Sequence, residues 1–362
     1  MIKIVNDKGF PEFLVNSLSA DYYKKRGYIS TTSIIDSPRK RILSEIVGRS
    51  KNIILSENVS SKMYSVLGSA VHSFLERGSI GLRSKSLVDR LSVLRESYRY
   101  IMLSHKNYAG AAEVLGRIKE EAEMIKKNIW SADDDRYIME KSMSIDILGR
   151  ELTGTFDLFD KKTKIISDYK ITGVYSVMKK DTSGWINQQN IYKYMATKKY
   201  GMRVDGAQIV AILRDYSAFR SKFEKNYPES PIEIVNIPLS DNNDIEKYLE
   251  RRMSLHVEAE EAFLSGKPIP YCTDEEIWSN GVTWAVKKPG NKNSKLFSKD
   301  KIDEALKYAD SVGAKIEKRL GEPKRCTGYC PAFVICEQAK KMGVNKSKTF
   351  NIIEKRDANE YF

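Results

Sequence analysis

The stretch GTFDLFDKKTKIISDYK, residues 154–170, constrains the fold of this chain more than any other part of it. It consists of two runs rich in β-branched and aromatic residues, joined by the basic link KKT, and each run is typical of a strand. The two runs also carry Asp157, Asp168 and Lys170, although charged side chains are seldom buried unless they are paired or bound to a metal. The stretch therefore predicts a hairpin that places three charges either in a functional site or on a solvated surface.

The hydrophobic pattern changes period on both sides of this hairpin. Strands are predicted over 137–148, 151–160 and 164–172, with LGRE and KKT as the turns between them. A helix is predicted over 185–201, and two further strands over 207–213 and 232–239. Three successive strands followed by a helix and another strand require a mixed sheet with a crossover helix. The predicted fold class is therefore α/β, with a mixed β-sheet core flanked by helices.

Three regions are predicted along the chain. Residues 1–130 are expected to be mainly helical, with amphipathic helices over 84–130 and a short helix over 66–78 that ends at Gly78. Residues 131–240 contain the mixed sheet. Residues 241–362 begin with a long helix and continue with a segment that contains the cysteines and is expected to pack on the core.

The charge of the chain favours an acidic partner. Lys and Arg number 61 against 48 Asp and Glu, a net charge of +13, which favours nucleic acid first and an anionic membrane second. No run of apolar residues is long enough to span a bilayer, and the N-terminus has no apolar signal segment, so a cytoplasmic protein with no membrane partner is predicted. The phosphate-binding pattern G-x-x-x-x-G-K-[ST] is absent from the sequence, which argues against a nucleotide-driven motor.

A basic stretch over 284–301 is the candidate surface for DNA. Its lysines, Lys287 and Lys288 among them, would neutralise phosphates, and Trp284 would stack on a base. The alternative is a solvated basic loop.

The relative positions of the charged residues in the hairpin depend on the length of the link. Asp168 and Lys170 are two residues apart on one strand and share a face. A link of two or four residues would bring Asp157 to that face, and a link of three would turn it away. Two neighbouring carboxylates repel each other unless a divalent cation lies between them. The residues alone thus leave two interpretations open: a metal site with Lys170 beside a substrate phosphate, or an exposed hairpin whose ion pairs add less than ~1 kcal/mol.

Four short motifs, taken in order, resemble the PD-(D/E)XK nuclease superfamily, and specifically its RecB-like exonuclease branch. GSAVH at 68–72 is similar to a G-x-x-x-H helix and GTFD at 154–157 to a G-x-x-D strand. DYK at 168–170 is similar to a (D/E)-x-K strand, and Gln188 with Tyr192 matches Q-x-x-x-Y on the following helix. The resemblance implies a restriction-endonuclease-like core.

The resemblance also implies how the residues of the site act. Mg²⁺ or Mn²⁺ would be the cofactor, Lys170 would support the attacking water, and Gln188 and Tyr192, on one face of their helix, would position DNA or the lysine. The implied metal ligands are His72, Asp157 and Asp168. Read singly, His72 fits a buried structural histidine, and Gln188 and Tyr192 fit packing between helix and sheet.

Other acidic and histidine residues receive lesser parts in this interpretation. Glu76 shares the helix face of His72 but is expected to be solvated, and Glu140 on the first strand is expected to lie behind the ligands at most. His105 and His256 are expected to be structural.

The cysteines form a second candidate site. Cys326, Cys330 and Cys336 lie close together, with Cys272 as the fourth, and four thiols in an intracellular chain suit metal ligation better than disulfides. A [4Fe–4S] cluster, a structural zinc and free buried thiols all remain open. In RecB-like nucleases that hold a cluster, one Cys precedes the core and three follow it. Here residues 36–43 contain no Cys, and the spacing C-x3-C-x5-C departs from C-x2-C-x5-C.

The predicted function is a metal-dependent DNA nuclease, more specifically an exonuclease, in DNA recombination, replication or repair. Its expected partners are DNA and, by resemblance, a helicase, a single-strand-binding protein or an annealing protein. Two alternatives remain open: a non-catalytic DNA-binding subunit of such a complex, and a restriction-type endonuclease on the same core.

Overall fold

A computed structural model of the chain describes residues 2–12, 15, 27–79, 114–120, 123, 136–178, 182–279 and 281–355. Its strands are β1 (Ile2–Val5), β2 (Ile29–Ser30), β3 (Ile53–Asn58), β4 (Tyr137–Ile147), β5 (Arg150–Asp160), β6 (Ile165–Thr172), β7 (Gly206–Leu213), β8 (Ile232–Ile237), β9 (Thr283–Val286), β10 (Lys295–Ser298), β11 (Ile316–Arg319) and β12 (Phe350–Lys355). Its α-helices are α1 (Thr31–Ile35), α2 (Pro38–Arg49), α3 (Met63–Ser79), α4 (Val174–Met178), α5 (Ser183–Tyr200), α6 (Ala218–Phe223), α7 (Asn242–Leu264), α8 (Ile302–Ser311), α9 (Lys324–Gly328) and α10 (Glu337–Lys341).

The chain divides into two compact units, which are described separately. The central unit is drawn from residues 25–31 and 64–249, and the terminal unit from residues 1–24, 32–63 and 250–362. The N-terminal part of the chain therefore contributes to both units. The division of the chain into three regions at about residues 130 and 240 stays a prediction.

The central unit contains a six-stranded mixed sheet. The order of five of its strands is β2-β5-β6-β7-β8. The sixth strand, β4, pairs with the other edge of β5. β6 runs parallel to β7 and β2 parallel to β5, whereas the remaining neighbours are antiparallel. The mixed α/β class predicted from the sequence is confirmed, and each predicted strand and helix from β4 to β8 begins and ends within two residues of its predicted limits.

Two turns fix the register of β4, β5 and β6. Leu148 and Gly149 form a two-residue turn with φ of 52° and 73°, the type I′ geometry whose twist matches that of paired strands. The Gly149 N–H donates to Asp146 Oδ1 at 3.0 Å and stabilises this turn. The next link, residues 161–164, has four residues, so one of the even lengths that the site geometry requires is present.

Helix α5 covers one face of this sheet. Trp185 and Ile186 pack against the core formed by β7, where Ile209 and Ala211 are fully buried. The helix ends at Gly201, which adopts φ 63° and donates its N–H back to the last turn, as an αL cap does. The crossover helix of the predicted fold thus lies directly above the strands that carry the charged residues.

The helix that contains His72 agrees with its predicted end to within one residue. Gly78 is the predicted end, and the described part of α3 reaches Ser79. A glycine within a helix costs only about 1 kcal/mol relative to alanine, which neighbouring turns can offset. Of the helices predicted over 84–130, residues 114–120 are helical, and the remainder, with His105, lies largely outside the described residues.

The terminal unit contains two three-stranded sheets, β1-β3-β12 and β10-β9-β11. Four of these strands follow α7, where the sequence predicted no strands. β9, β10 and β11 have only four residues each, so their periodic signal is too short to recognise. Within the described part of the chain, no helix has the length and apolarity needed to cross a bilayer.

His256 lies fully buried in the terminal unit. Its Nδ1 accepts from Arg41 Nε at 3.1 Å, and its Nε2 lies 3.2 Å from the carbonyl oxygen of Ile34, to which it donates. Burial, followed by the charges of Arg41 and Arg252, lowers the pKa of His256 to about 4. The expected structural role of this histidine agrees with its contacts.

We expect the free energy of unfolding to fall as the pH is lowered from about 6.5 to about 4. Native His256 stays neutral in this range, whereas the unfolded chain binds a proton there, so protons favour the unfolded state. The loss can reach roughly 3 kcal/mol. Urea denaturation of the wild type and of His256→Gln across this range measures it, since glutamine keeps a donor and an acceptor without titrating. Equal pH slopes for the two proteins would contradict this assignment.

Candidate metal centre

Asp157 and Asp168 lie on the same face of the central sheet. The four-residue link pairs Leu158 with Ser167, and the same register continued by one residue sets Asp157 opposite Asp168. Asp168 in turn pairs with Ile209 of β7, on the face that α5 covers. The two side chains are only 7% and 1% exposed. The hairpin therefore buries both carboxylates and is not the solvated hairpin that the sequence left open.

The backbone of Tyr169 connects Asp157 to the helix that carries His72. The Tyr169 N–H donates to Asp157 Oδ2 at 2.8 Å, and the Tyr169 carbonyl oxygen lies 2.9 Å from His72 Nε2. His72 Nδ1 is 3.4 Å from the same Asp157 oxygen. Tyr169, which lies between Asp168 and Lys170, thus fixes the Asp157 carboxylate on β5 and the His72 imidazole on α3.

These contacts determine which nitrogen of His72 can bind a metal. A carbonyl oxygen only accepts, so Nε2 carries the hydrogen and Nδ1 presents its lone pair on the side of Asp157. A backbone carbonyl that orients an imidazole in this way is the usual second partner of a metal-binding histidine. The 3.4 Å between Nδ1 and the carboxylate oxygen is close to the roughly 3 Å that separates neighbouring ligands of an octahedral Mg²⁺ with ~2.1 Å bonds.

Glu140 completes a three-residue ligand group that the sequence analysis underestimated. His72, Glu140 and Asp157 each bring one ligand atom within 4.8 Å of the other two. Among the described residues, theirs are the His, Cys, Asp or Glu side chains that form such a group of three. The β4–β5 register places Met139 opposite Leu158 and resumes beyond residue 140, so Glu140 faces Asp157 directly. Its φ of 45° lies in the left-handed region, which is strained for a glutamate within a strand and is found mainly at functional sites.

Asp168 and Lys170 form the next part of the site. Lys170 Nζ lies 2.7 Å from Asp168 Oδ2, an ion pair held on the buried side of β6. The ammonium approaches off the hydrogen-bonding direction, so that among the described residues no donor makes an aligned hydrogen bond to this buried oxygen. The Lys170 ammonium offsets part of the cost of burying this carboxylate, and a bound metal cation would offset more of it.

Helix α5 brings Gln188 and Tyr192 over the acidic residues. Gln188 Nε2 donates to the Tyr192 hydroxyl at 2.9 Å, and both side chains are buried. Gly154 makes this approach possible, because a Cβ at that position would lie 3.0 Å from Tyr192 Cε1 and 2.4 Å from Thr31 Oγ1. The glycine of GTFD thus has a steric role: it lets the tyrosine ring lie against the strand.

The electrostatics of the site are those of crowded, buried acids. Burial, and next the neighbouring Asp168, raise the pKa of Asp157 to about 7, although His72 acts in the opposite direction. Burial and the charge of Asp168 also raise the pKa of Tyr192, which keeps its phenol protonated. The arrangement therefore favours a bound cation, which would offset the mutual repulsion of the acids.

The four cysteines are located together in the terminal unit and are not disulfide-bonded. Cys326, Cys330 and Cys336 are buried in one apolar cluster, and Cys272 packs against it. Arg39 Nε donates to Cys336 Sγ at 3.2 Å. Burial raises the pKa of the Cys272 thiol to about 11 and that of Cys326 to about 12. A metal or cluster would therefore have to displace these protons.

Ser37 occupies the position next to the fourth thiol. Its Oγ lies 3.0 Å from Cys272 Sγ, and it belongs to the segment 36–43 in which the sequence lacks the expected cysteine. The chain segment after α7 therefore brings Cys272 to the side of α2, close to the point that a cysteine at position 37 would reach.

The candidate DNA-contacting residues lie on β9 and the loop after it. The Trp284 indole N–H donates to the Lys299 carbonyl oxygen at 3.1 Å, and its ring packs on the core around Val286. Lys287 and Lys288 are exposed. The ring of Trp284 thus stabilises the small sheet, which leaves less of it for stacking than the sequence analysis expected. The side chain of Glu76 lies outside the described residues.

Comparison with known proteins agrees with this geometry. A family model for the PD-(D/E)XK nuclease superfamily matches residues 36–337. Among curated proteins, none matches the chain.

Solved structures resemble the chain weakly. A phage-related exonuclease from Haemophilus somnus is 16% identical, with 49% of this chain and 82% of that chain covered and a TM-score of 0.26. A candidate exonuclease from Eubacterium rectale is 13% identical, with coverage of 71% and 87% and a TM-score of 0.34. Likeness at this level carries no inference about activity.

Proposed function

Because the chain belongs to the PD-(D/E)XK nuclease superfamily, we propose that it hydrolyses phosphodiester bonds of DNA with the help of a divalent cation. The observation that carries the proposal is the convergence of His72 Nδ1, Glu140 and Asp157 beside the buried carboxylate of Asp168. This arrangement has a cost in the absence of a cation and suits one when it binds.

The donor set fits Mg²⁺ or Mn²⁺. Carboxylate oxygens suit both ions, and one imidazole is compatible with Mn²⁺ in particular. The residues that would hold the ion are His72, Glu140 and Asp157, whose ligand atoms converge. Asp168, the third predicted ligand, lies outside that group of atoms and would bind the ion from the neighbouring strand β6. When bound, such an ion lowers the pKa of a water and stabilises negative charge on the phosphate.

The remaining residues have roles that follow from their positions. Lys170 is held beside Asp168 by the 2.7 Å ion pair, so its ammonium adds positive charge where a phosphate oxygen would become more negative. Tyr192, protonated and fixed by Gln188, offers a donor above the acids to a substrate phosphate or to the lysine. A buried site of this kind is suited to positioning and electrostatic stabilisation.

Within this class we favour an exonuclease that acts in DNA recombination, replication or repair. The net charge of +13 supports DNA as the partner, and Lys287 and Lys288 of the basic loop would contact its phosphates. A helicase, a single-strand-binding protein or an annealing protein would then supply or receive the DNA end.

The first prediction concerns the catalytic group. With Mn²⁺ and end-labelled linear DNA, we expect Asp168→Asn and Lys170→Met each to reduce the rate by at least about 100-fold, because each removes a charge from the buried site. Lys199→Met, which removes an exposed lysine at the far end of α5, is the matched control.

Undiminished activity in both site variants would exclude this centre as the source of hydrolysis. Closed circular DNA distinguishes the alternatives: an exonuclease leaves it intact, and a restriction-type endonuclease cleaves it. Tight DNA binding by wild-type protein that hydrolyses neither substrate would favour the non-catalytic subunit.

A second prediction concerns Glu140. If its carboxylate is a ligand, Glu140→Gln should weaken Mn²⁺ binding by about 10–100-fold, the range typical of groups that support a metal site. Mn²⁺ titration followed by electron paramagnetic resonance measures this without reference to activity. Glu151→Gln, an exposed acid at the start of β5, is the control. Unchanged affinity in the Glu140 variant would show that it acts by shaping the strand only.

For the cysteines we propose a [4Fe–4S] cluster, with Cys272 as the fourth ligand. Sulfur atoms around a tetrahedral zinc lie roughly 3.8 Å apart, given ~2.3 Å bonds, but no three of these thiols come within 4.8 Å of one another. A cluster is larger than a single ion and spaces its thiolates more widely. Arg39 beside Cys336 would offset the negative charge of the thiolates.

The third prediction uses the contact between Ser37 and Cys272. In protein purified without oxygen, Cys272→Ser should lose most of its iron, and the double variant Ser37→Cys/Cys272→Ser should regain it, since both side chains reach the same point. Iron, acid-labile sulfide and visible absorbance provide the readout, with Ser37→Cys alone as the control. Full iron retention in Cys272→Ser, or zinc in place of iron in the wild type, would contradict the proposal.

A further inference from the structure

Exposed aromatic rings surround the end of β6 that carries Lys170. They lie on three segments of the central unit: the start of α3, helix α4 directly after β6, and helix α6 directly after β7. Most aromatic side chains of a folded protein are largely buried, so a group of such rings in solvent marks a binding surface. The exposed fractions are 60% for Tyr64, 64% for Tyr175, 73% for Phe219 and 75% for Phe223.

Tyr64 is connected to the strand ends through Arg214. The Arg214 guanidinium lies 4.4 Å from the centre of the Tyr64 ring, and the Arg214 N–H donates to the Thr172 carbonyl oxygen at 3.0 Å. Eight residues of α3, about 12 Å, separate Tyr64 from His72. Since a stacked strand rises ~3.4 Å per nucleotide, this distance corresponds to three or four nucleotides.

The helix that carries Phe219 and Phe223 is anchored to the core of the central unit. Their rings lie one helical turn apart on α6, with centroids 4.9 Å apart. The segment before the helix is anchored by the Ser217 N–H, which donates to the hydroxyl of buried Tyr227 at 2.9 Å. The two rings are therefore exposed because of the fold, and not because the segment lacks contacts.

The charge around the rings indicates the kind of ligand. Arg214 lies over Tyr64, and Lys222 and Lys225 are exposed on and after α6. Aromatic rings and guanidinium planes interleaved with lysines are the composition of single-strand-binding surfaces, where bases stack and cations meet phosphates. An apolar protein partner would instead favour a surface without charges at its centre.

We infer that Tyr64 with Arg214, and Phe219 with Phe223, form a stacking surface for the unpaired bases of a DNA strand that leads to the metal centre. This inference rests on the proposed function, because it names the form of DNA that the site takes. The strand would lie along α3 between His72 and Tyr64, with its bases on the rings and its phosphates toward the lysines.

Fluorescence anisotropy in EDTA tests the surface without hydrolysis. The probe is a labelled oligothymidylate of about 20 nucleotides, longer than the ~4–16 nucleotides that one binding module covers. Phe219→Ala/Phe223→Ala and Tyr64→Ala should each weaken binding by roughly 10-fold. The salt dependence should stay unchanged, since no phosphate contact is lost. An abasic strand of the same length should bind the wild type and these variants equally.

Two further variants separate stacking from general apolar contact. Phe219→Trp/Phe223→Trp should retain affinity, and Leu264→Ala, which removes a side chain that is 77% exposed on α7, should have no effect. Wild-type affinity in both alanine variants would overturn the inference and assign the rings to a protein partner. Equal weakening on the abasic strand would also overturn it, because the rings would then contact the DNA backbone and not the bases. The outcome is independent of catalysis: binding lost with the rings in a protein that cleaves no DNA would leave the stacking surface standing and remove only the proposed function.

Discussion

The peptide groups on either side of the Tyr169 Cα hold the candidate site together. The Tyr169 N–H donates to Asp157, and the Tyr169 carbonyl oxygen accepts from His72, so one residue of β6 fixes side chains from β5 and from α3. The same residue separates Asp168 from Lys170, whose side chains point to the opposite face from its own. A displacement of β6 by one residue would therefore disturb all of these groups at once.

How much of this could be predicted follows from the length of each element. β4 and β5 have 11 residues each and α5 has 18, which is enough for period 2 and period 3.6 to be recognised. The sequence shows that the link between β5 and β6 must contain an even number of residues for the site to form. It does not give that number, because KKT alone does not determine where the strands end. Strands of four residues, such as β9, are too short for period 2 to be recognised, and the sequence therefore did not predict them.

The sequence did not predict Glu140 as a metal ligand, because the residue opposite it on β5 depends on the length of the turn between β4 and β5. With Leu148 and Gly149 as a two-residue turn, counting back along β4 places Glu140 opposite Asp157, whereas a longer turn over LGRE leaves the register open. The contact between Ser37 and Cys272 was out of reach for a different reason: it joins residues 235 positions apart, and no periodic signal carries such information. Local pattern specified the scaffold, and long-range packing specified which groups complete each site.

The conformation of Glu140 indicates how the fold maintains the site. A glutamate at φ 45° costs of order 1–3 kcal/mol and persists only where the surrounding structure holds it. Here the β4–β5 ladder pairs residues on both sides of it, from Tyr137 with Asp160 to Ile147 with Arg150, so relaxation at one position would have to break paired neighbours. The long hairpin is thus more than a support for the sheet. It offsets the strain that turns a third carboxylate toward His72 and Asp157, and a shorter β4 would not hold that carboxylate there.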